Sequence, residues 1–279
     1  MASPRTDAEL LAAYALGISR GRLLLADDFT DAQLATFREL IARRVRRVPL
    51  QHLTGTVPFG DIDLAVGPGA FIPRPETELL VAWALPKVPS GAPIVVDFCS
   101  GTGAIALSVA HAFSKATVIA VERDASAALW LRHNAADRAA LGDRPIDVQL
   151  GDVTSPQILE SHNRIVDMLL CNPPYVPDGT PVPTEVLHDP NLAVFGGPDG
   201  LDVIRPVISR AVTLLRPGGW FAIEHDDTQD EAVPALITAT EAFDAIDLHR
   251  DLAGRPRFTT ARRRLVEEAD APGWQTGSP

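Results

Sequence analysis

The chain has 279 residues, of which 46% are hydrophobic and 6% aromatic, and its formal net charge is −11 at pH 7. That length suits one large domain with a small companion, and the apolar share is enough to bury a sizeable core. The acidic balance argues against a lasting complex with bare nucleic acid, and two cysteines in apolar contexts, Cys99 and Cys171, argue against a disulfide-stapled secreted domain. Neither a charged-then-apolar leader nor an apolar run near the roughly 20 residues of a membrane span is visible. A soluble, reduced, cytoplasmic protein is expected, with no metal site, no membrane contact and no stable nucleic-acid partner.

The N-terminal part reads as helical. Thr6-Asp7-Ala8-Glu9 has the pattern of a capping box ahead of Leu10, Leu11, Tyr14 and Leu16, with Gly17 as the stop. Thr30-Asp31-Ala32-Gln33 repeats the device before Leu34, Phe37, Leu40 and Ile41. This second helix ends in Arg43, Arg44, Arg46 and Arg47. Cations are favourable there and usually just solvated, so partner binding by the cluster is the minority reading. A Gly/Pro-rich stretch follows, in which Ile62, Leu64 and Val66 alternate with polar or small residues as in one strand of a hairpin. The two prolines of Ile72-Pro73-Arg74-Pro75 keep the chain extended until a helix begins at Glu76 and runs through Leu79, Leu80 and Trp83.

From about residue 91 the rhythm changes. Short apolar runs at 93–96, 118–121, 146–150, 166–171 and 220–224 alternate with helical stretches around 103–112, 124–138 and 200–215. That alternation specifies a parallel sheet with helices on both faces. Pro217-Gly218-Gly219 reads as a turn before the strand at Trp220, and the segments 246–248 and 257–261 as a closing hairpin.

Asp97-Phe98-Cys99-Ser100-Gly101-Thr102-Gly103 follows the first of these strands and opens a helix. Small residues at such a turn let backbone approach a ligand closely. The loop lacks the G-x-G-x-x-G spacing of a dinucleotide site and the G-K-[ST] of a P-loop. An acid at its start suits a ligand that carries an amino group in place of a phosphate. Glu122 closes the next strand, where a carboxylate can accept both hydroxyls of a ribose, and Asp152 follows the third. Each alone would be an ordinary solvated acid; three at consecutive strand ends favour a site. The loop resembles the first motif of class I S-adenosylmethionine methyltransferases, with Cys99 where those loops usually carry glycine. A non-glycine residue is expected to avoid positive φ there, so a slightly altered turn is expected.

The most specific signal is Asn172-Pro173-Pro174-Tyr175 at the end of the fourth run. Asn-Pro is a common turn starter, but here it ends a central strand at the ligand-binding edge of the sheet. The delocalised lone pair of an amide or aromatic amine is a poor nucleophile. Two acceptors aimed at its N–H bonds orient the nitrogen and stabilise the charge it gains. The Asn172 side-chain oxygen and the Pro173 carbonyl are such a pair. The prolines fix the turn, and Tyr175 offers a flat face to a planar group.

With these residues in view, the chain resembles the PrmC/HemK family, which methylates the N5 nitrogen of a glutamine in peptide chain release factors. The resemblance runs through 47–55, the Ile72-Pro73-Arg74-Pro75-Glu76-Thr77-Glu78 segment, Phe195-Gly196-Gly197-Pro198-Asp199-Gly200-Leu201, and 252–257. It implies a class I methyltransferase fold. A mostly parallel seven-stranded sheet would be preceded by a helical domain over 1–50, which grips the release factor, and by a hairpin linker over 51–72; the catalytic domain would span 73–279. S-adenosylmethionine would contact Asp97, Phe98, Cys99, Ser100, Gly101, Gly103, Glu122, Asp152, Val153 and Asn172. The glutamine of a Gly-Gly-Gln loop would sit on Asn172, Pro173, Pro174 and Tyr175, with Arg74 beside it. Catalysis would rest on Asn172, Pro173 and Tyr175 in a monomer. Ser3-Pro4-Arg5-Thr6-Asp7 stands almost at the start of the chain, so a shorter helical domain than the family's is expected. Glu224-His225-Asp226-Asp227 replaces a glycine-containing family turn. The alternatives are an adenine-N6 methyltransferase, a ribosomal-protein glutamine methyltransferase, and a non-catalytic S-adenosylmethionine-binding scaffold.

Overall fold

Helix α1 (Pro4–Leu16) starts ahead of the expected capping box, because Pro4 suits the first helical turn. Ser3 is its N-cap and makes no side-chain cap bond; Asp7 is buried instead and pairs with Arg44. Gly17, in the left-handed conformation, ends the helix as expected. A computed structural model describes residues 3–265 of the chain. The last residues of the expected catalytic domain, 266–279, and the first two of the N-terminal one therefore lie outside the described residues. Helix α2 (Asp31–Val45) has the predicted capping box: Gln33 N donates to Thr30 Oγ1 at 3.3 Å and Thr30 N to Gln33 Oε1 at 3.0 Å. A short helix α3 (Leu50–Thr54) joins them around a small core of Leu11, Leu40 and Leu53.

Strands β1 (Thr56–Phe59) and β2 (Ile62–Ala65) form the antiparallel hairpin. Helix α4 (Pro75–Ala84) carries Pro75 in its first turn, one residue earlier than the proline argument placed its start. The main sheet then builds from β3 (Ile94–Phe98), α5 (Ala104–Ala112), β4 (Thr117–Glu122), α6 (Ala125–Ala140), β5 (Asp147–Leu150) and β6 (Val166–Cys171). The short α7 (Asn191–Val194), α8 (Ile204–Leu214), β7 (Leu215–Glu224), α9 (Ala232–Thr238), β8 (Phe243–Arg250) and β9 (Pro256–Arg263) complete it. The order is β5-β4-β3-β6-β7-β9-β8, parallel from β5 to β7, with β9 antiparallel to both its neighbours.

Pro217-Gly218-Gly219 is not a turn ahead of the strand. β7 begins directly after α8, and the three residues form a bulge across which the pairing with β6 moves from Val166↔Leu215 to Met168↔Trp220. The bulge absorbs residues that would otherwise need a separate connection. Alternation along the buried strands divides the core in two. Val95, Met168 and Leu170 face α4, α5 and the hairpin, whereas Val96, Leu169 and Cys171 face α8 and α9. Because β3 lies between β4 and β6, the strand order reverses there, and a crevice opens beyond the carboxyl ends of these strands. Among the described residues no helix is long and apolar enough to cross a membrane.

Candidate active site

The crevice is a cleft enclosing about 970 Å³ up to its open mouth. Of the residues expected at a cofactor, Cys99, Ser100, Gly101, Glu122, Asp152, Val153 and Asn172 line it. Asp97, Phe98 and Gly103 do not. Phe98 is wholly buried in the α8/α9 core. Gly103 serves packing, since a Cβ there would lie 2.5 Å from Leu131 Cδ1 of α6.

The turn after β3 is tight. Ser100 N donates to Val121 O (3.1 Å) and Ser100 Oγ to Asp97 O (2.8 Å). Cys99 adopts φ +58°, so the expectation that a non-glycine residue would avoid this region is corrected. The loop keeps its left-handed turn and the side chain bears the strain, a cost of about 1–2 kcal/mol for an L-residue. Glu122 is fixed by two main-chain donors, Gly101 N to Oε2 (2.8 Å) and Asp124 N to Oε1 (2.7 Å). These bonds pin the acid at the loop and leave further lone pairs on both oxygens. Asp152 Oδ1 accepts from Thr154 N (2.9 Å) and Oγ1 (2.8 Å). Burial opposes its charge, but those bonds and Arg123 prevail and hold its carboxyl below the usual range. Asp97 is different. Oδ2 accepts from Ala106 N (3.2 Å), Oδ1 is buried without a partner, and burial above all raises its pKa to about 7.

At the end of β6, Asn172 and Pro174 line the cleft. Pro173 is buried beside them. Tyr175 was expected to offer its ring to substrate. Its ring packs against the α8/α9 core, and its hydroxyl donates to Glu224 Oε1 at 3.0 Å. Burial first, then the neighbouring Glu224, pushes the Tyr175 hydroxyl well above its ordinary pKa. Glu224, the last residue of β7, is buried and also accepts from Thr77 Oγ1 at 2.8 Å. Burial raises it to about 7. Thr77 in turn receives Asn172 Nδ2 at 3.0 Å. Asn172, Thr77, Glu224 and Tyr175 thus form one chain of hydrogen bonds across α4, β6 and β7.

The departure after Glu224 supports this arrangement from behind. Asp226 caps a short 3-10 turn, accepting from Thr228 N at 3.0 Å. Gln229 Nε2 donates to the carbonyls of Tyr175 and Asp199, each at 3.1 Å. The glycines of 196–200 lie against the same backbone: a Cβ at Gly196 would lie 2.5 Å from Pro174 O, and one at Gly200 would collide with Tyr175 O. Arg74, expected at the substrate, is ion-paired with the fully buried Asp189, and its guanidinium lies 4.9 Å from the centroid of the Phe71 ring. It stands at the edge of the cleft, beside Phe71 and Pro73, which line it. Sequence reasoning missed the roles of Thr77, Glu224 and Asp189. The available signal was an acid ending an otherwise apolar strand run, Ala222-Ile223-Glu224.

Residues 1–55 match the family model described as PrmC N-terminal domain, and residues 75–189 match that described as Methyltransferase small domain. The chain is 47% identical over 264 residues to the release factor glutamine methyltransferase of Mycolicibacterium smegmatis, covering 94% of this chain and 92% of that one. It is 44% identical over 266 residues to the protein of the same name from Mycobacterium tuberculosis (strain ATCC 25618 / H37Rv), covering 94% and 86%. Among solved structures, the catalytic domain of hMettl16 in complex with the MAT2A 3′UTR hairpin 6 superposes with a TM-score of 0.55 over 88% of this chain and 86% of that one. At 14% identity, that likeness shows the shared class I methyltransferase fold alone. The identity to the first two relatives, sustained through nearly the whole of each protein, decides the assignment: this chain belongs to the release factor glutamine methyltransferase family.

Proposed function

We propose that the cleft aligns the side-chain amide of a release-factor glutamine with S-adenosylmethionine, and that Asn172 and the Pro173 carbonyl are the acceptors that hold its NH2. As a member of its family the enzyme methylates the N5 nitrogen of the glutamine in the Gly-Gly-Gln loop of peptide chain release factors, with S-adenosylmethionine as donor. The observation that carries the reading of the site is that Asn172 lines the same cleft as Glu122 and the glycine loop.

The cleft fits the cofactor chemically. Glu122, held by two main-chain donors, keeps lone pairs for a ribose diol; Asp97, at the start of the glycine loop though not on the cleft wall, has a buried Oδ1 without a donor. Cys99, Ser100, Gly101, Asp152 and Val153 would complete its surroundings. When bound, the cofactor supplies an electrophilic methyl on a sulfonium. The chain's own residues orient the amide: Asn172 accepts from one N–H, the Pro173 carbonyl from the other, and Pro174 walls the pocket. No strong base is needed, since the nitrogen loses its proton readily once it carries the methyl group. Tyr175 and Arg74 act through Glu224 and Asp189, holding the turn and the mouth of the cleft.

Residues 1–50 would recognise the release factor, 51–72 would link, and 73–279 would carry catalysis, in a cytoplasmic monomer without stable nucleic-acid or membrane contacts. Mass spectrometry of a purified release factor incubated with enzyme and S-adenosylmethionine tests the function. One added methyl on the loop glutamine is expected; an unmodified glutamine rejects it. Asn172→Ala should abolish transfer while sparing cofactor binding, and wild-type turnover in that variant would refute the site.

A further inference from the structure

We propose that Glu224, acting through Thr77, is a positioning residue that decides which end of the Asn172 amide faces the methyl acceptor. The inference rests on Asn172 being the amide-holding residue and concerns what holds Asn172 itself. An asparagine side chain is nearly symmetric in shape, with an acceptor at one end and a donor at the other. Only the oxygen can receive an N–H of the substrate amide. Reversed, Asn172 would set its own NH2 against the substrate's NH2. Something must therefore select the orientation.

The bond chain makes that selection. An ionised carboxylate accepts only, so buried Glu224 requires the hydroxyls of both Thr77 (2.8 Å) and Tyr175 (3.0 Å) to donate to it. A hydroxyl has one proton. Having given it to Glu224, Thr77 presents only lone pairs to its third neighbour, Asn172, at 3.0 Å. The amide must then turn its NH2 to Thr77, which leaves Oδ1 directed away from Thr77, for the cleft that both residues line. Protonated Glu224 donates in one direction, and when it donates to Thr77 that hydroxyl is free to point at Asn172, so the two amide orientations become comparable.

The groups facing Glu224 from its neighbours are Thr77 and Glu76 on α4, Tyr175 and Cys171 from β6 and its turn, and Arg257 on β9. Glu76 disfavours its charge and Arg257 favours it, while burial is the largest influence and brings its titration to about 7. Arg257 is also engaged by Asp251 Nε–Oδ2 at 2.8 Å, so it moderates this balance without neutralising Glu224.

The test uses the full-length enzyme with tritiated S-adenosylmethionine and a purified release factor. Thr77→Val keeps the shape and removes the relay; kcat should fall about 100-fold, the scale of a misoriented reacting group, with cofactor affinity within about twofold of wild type as one polar contact outside the cofactor's own set is lost. Thr77→Ser, which restores the hydroxyl, should recover activity to within about threefold. In the wild type kcat should rise with pH through about 7, and Glu224→Gln should flatten that rise even if Asp97 titrates in the same range. Wild-type turnover in Thr77→Val, equal losses in the Val and Ser variants, or an unchanged pH profile in Glu224→Gln would each overturn the proposal. If Glu224→Gln fails to melt cooperatively, Glu224→Asp replaces it: the carboxylate is kept but drawn back from Thr77, so kcat should fall at least about tenfold while the rise with pH persists, and wild-type kcat in that variant would overturn the proposal. An active Asn172→Ala would instead sink the underlying reading, so the two failures are distinguishable.

Discussion

Glu122 gains its importance from how completely it is held. Both oxygens already accept main-chain N–H groups of the glycine loop and of the first turn after β4, so the carboxylate is oriented before any ligand arrives. Glu122→Ala should weaken S-adenosylmethionine binding by about 1–3 kcal/mol, the usual effect of deleting a charged hydrogen-bond partner. Unchanged affinity in calorimetry would contradict the ribose role. Cys99 shows the opposite economy: a side chain accepts an unfavourable φ so that Ser100 and Gly101 can reach their partners. Cys99, Ser100, Gly101, Glu122, Asp152 and Val153, each singled out by its chemistry, line the cleft, whereas the Tyr175 ring packs against the core. An aromatic ring beside a substrate motif reads as a stacking surface. Its hydroxyl, seeking a partner once buried, instead turned it toward Glu224.

At the scale of elements, the segment 195–201 is a support for the Asn-Pro-Pro-Tyr turn. Val176 N donates to Val194 O, Gly196 N to Val176 O, and the missing side chains of Gly196 and Gly200 let the two backbones touch. Gly200→Ala would push Tyr175 O out of place and strain a residue at φ +73°. The loss of stability should be about 1–3 kcal/mol, the range for overpacking, with kcat reduced at least about tenfold as the turn shifts. Wild-type kinetics at an unchanged denaturation midpoint would dismiss this support. The elements themselves were largely legible in the sequence, since apolar runs of four to six residues separated by amphipathic stretches have few other solutions. Three boundaries were misread, that of α4 by a single residue. The Thr6-to-Glu9 pattern lost to a proline able to open the helix earlier, and Pro217-Gly218-Gly219 became a bulge because the neighbouring strand continued to pair on both sides of it.

For the whole molecule, the N-terminal helices are joined to the catalytic body by charge. Arg44 of α2 donates to Asp7 Oδ2 of α1 at 2.8 Å and lies 3.4 Å from Glu185 Oε1, which also receives Arg47 at 3.0 Å. The arginine cluster that the sequence leaves as a solvated helix end thus reaches the loop beyond the Asn-Pro-Pro-Tyr turn. Arg44→Met strands the buried Asp7 carboxylate, which should cost about 3 kcal/mol, the lower end for a broken buried pair. Asp7→Asn added to it should recover part of the loss; no change in the urea midpoint of the single variant would show the pair to be idle. Stability should also depend on pH through Asp97 and Glu224, both raised by burial to about 7 from ordinary values of 3.8 and 4.5. Between those limits the folded protein keeps protons that the unfolded chain has released, so this contribution is full at low pH and fades as pH rises to about 7 and beyond. Urea midpoints from pH 5 to 8 should fall less steeply in Asp97→Asn than in wild type, and an identical slope would refute the shift.

By itself the sequence determined the alternating strands and helices, the capped second helix, and the acids and the asparagine turn at successive strand ends. Each of these depends on residues a few positions apart, whose spacing is readable before folding. Only the tertiary structure decided which groups those residues would meet. Thr77 lies 95 positions from Asn172 and 147 from Glu224, and Arg44 lies 141 from Glu185. Such partners are brought together by strand order and helix packing. A buried carboxylate can take any donor that the crossovers place beside it, and local sequence does not specify which that will be.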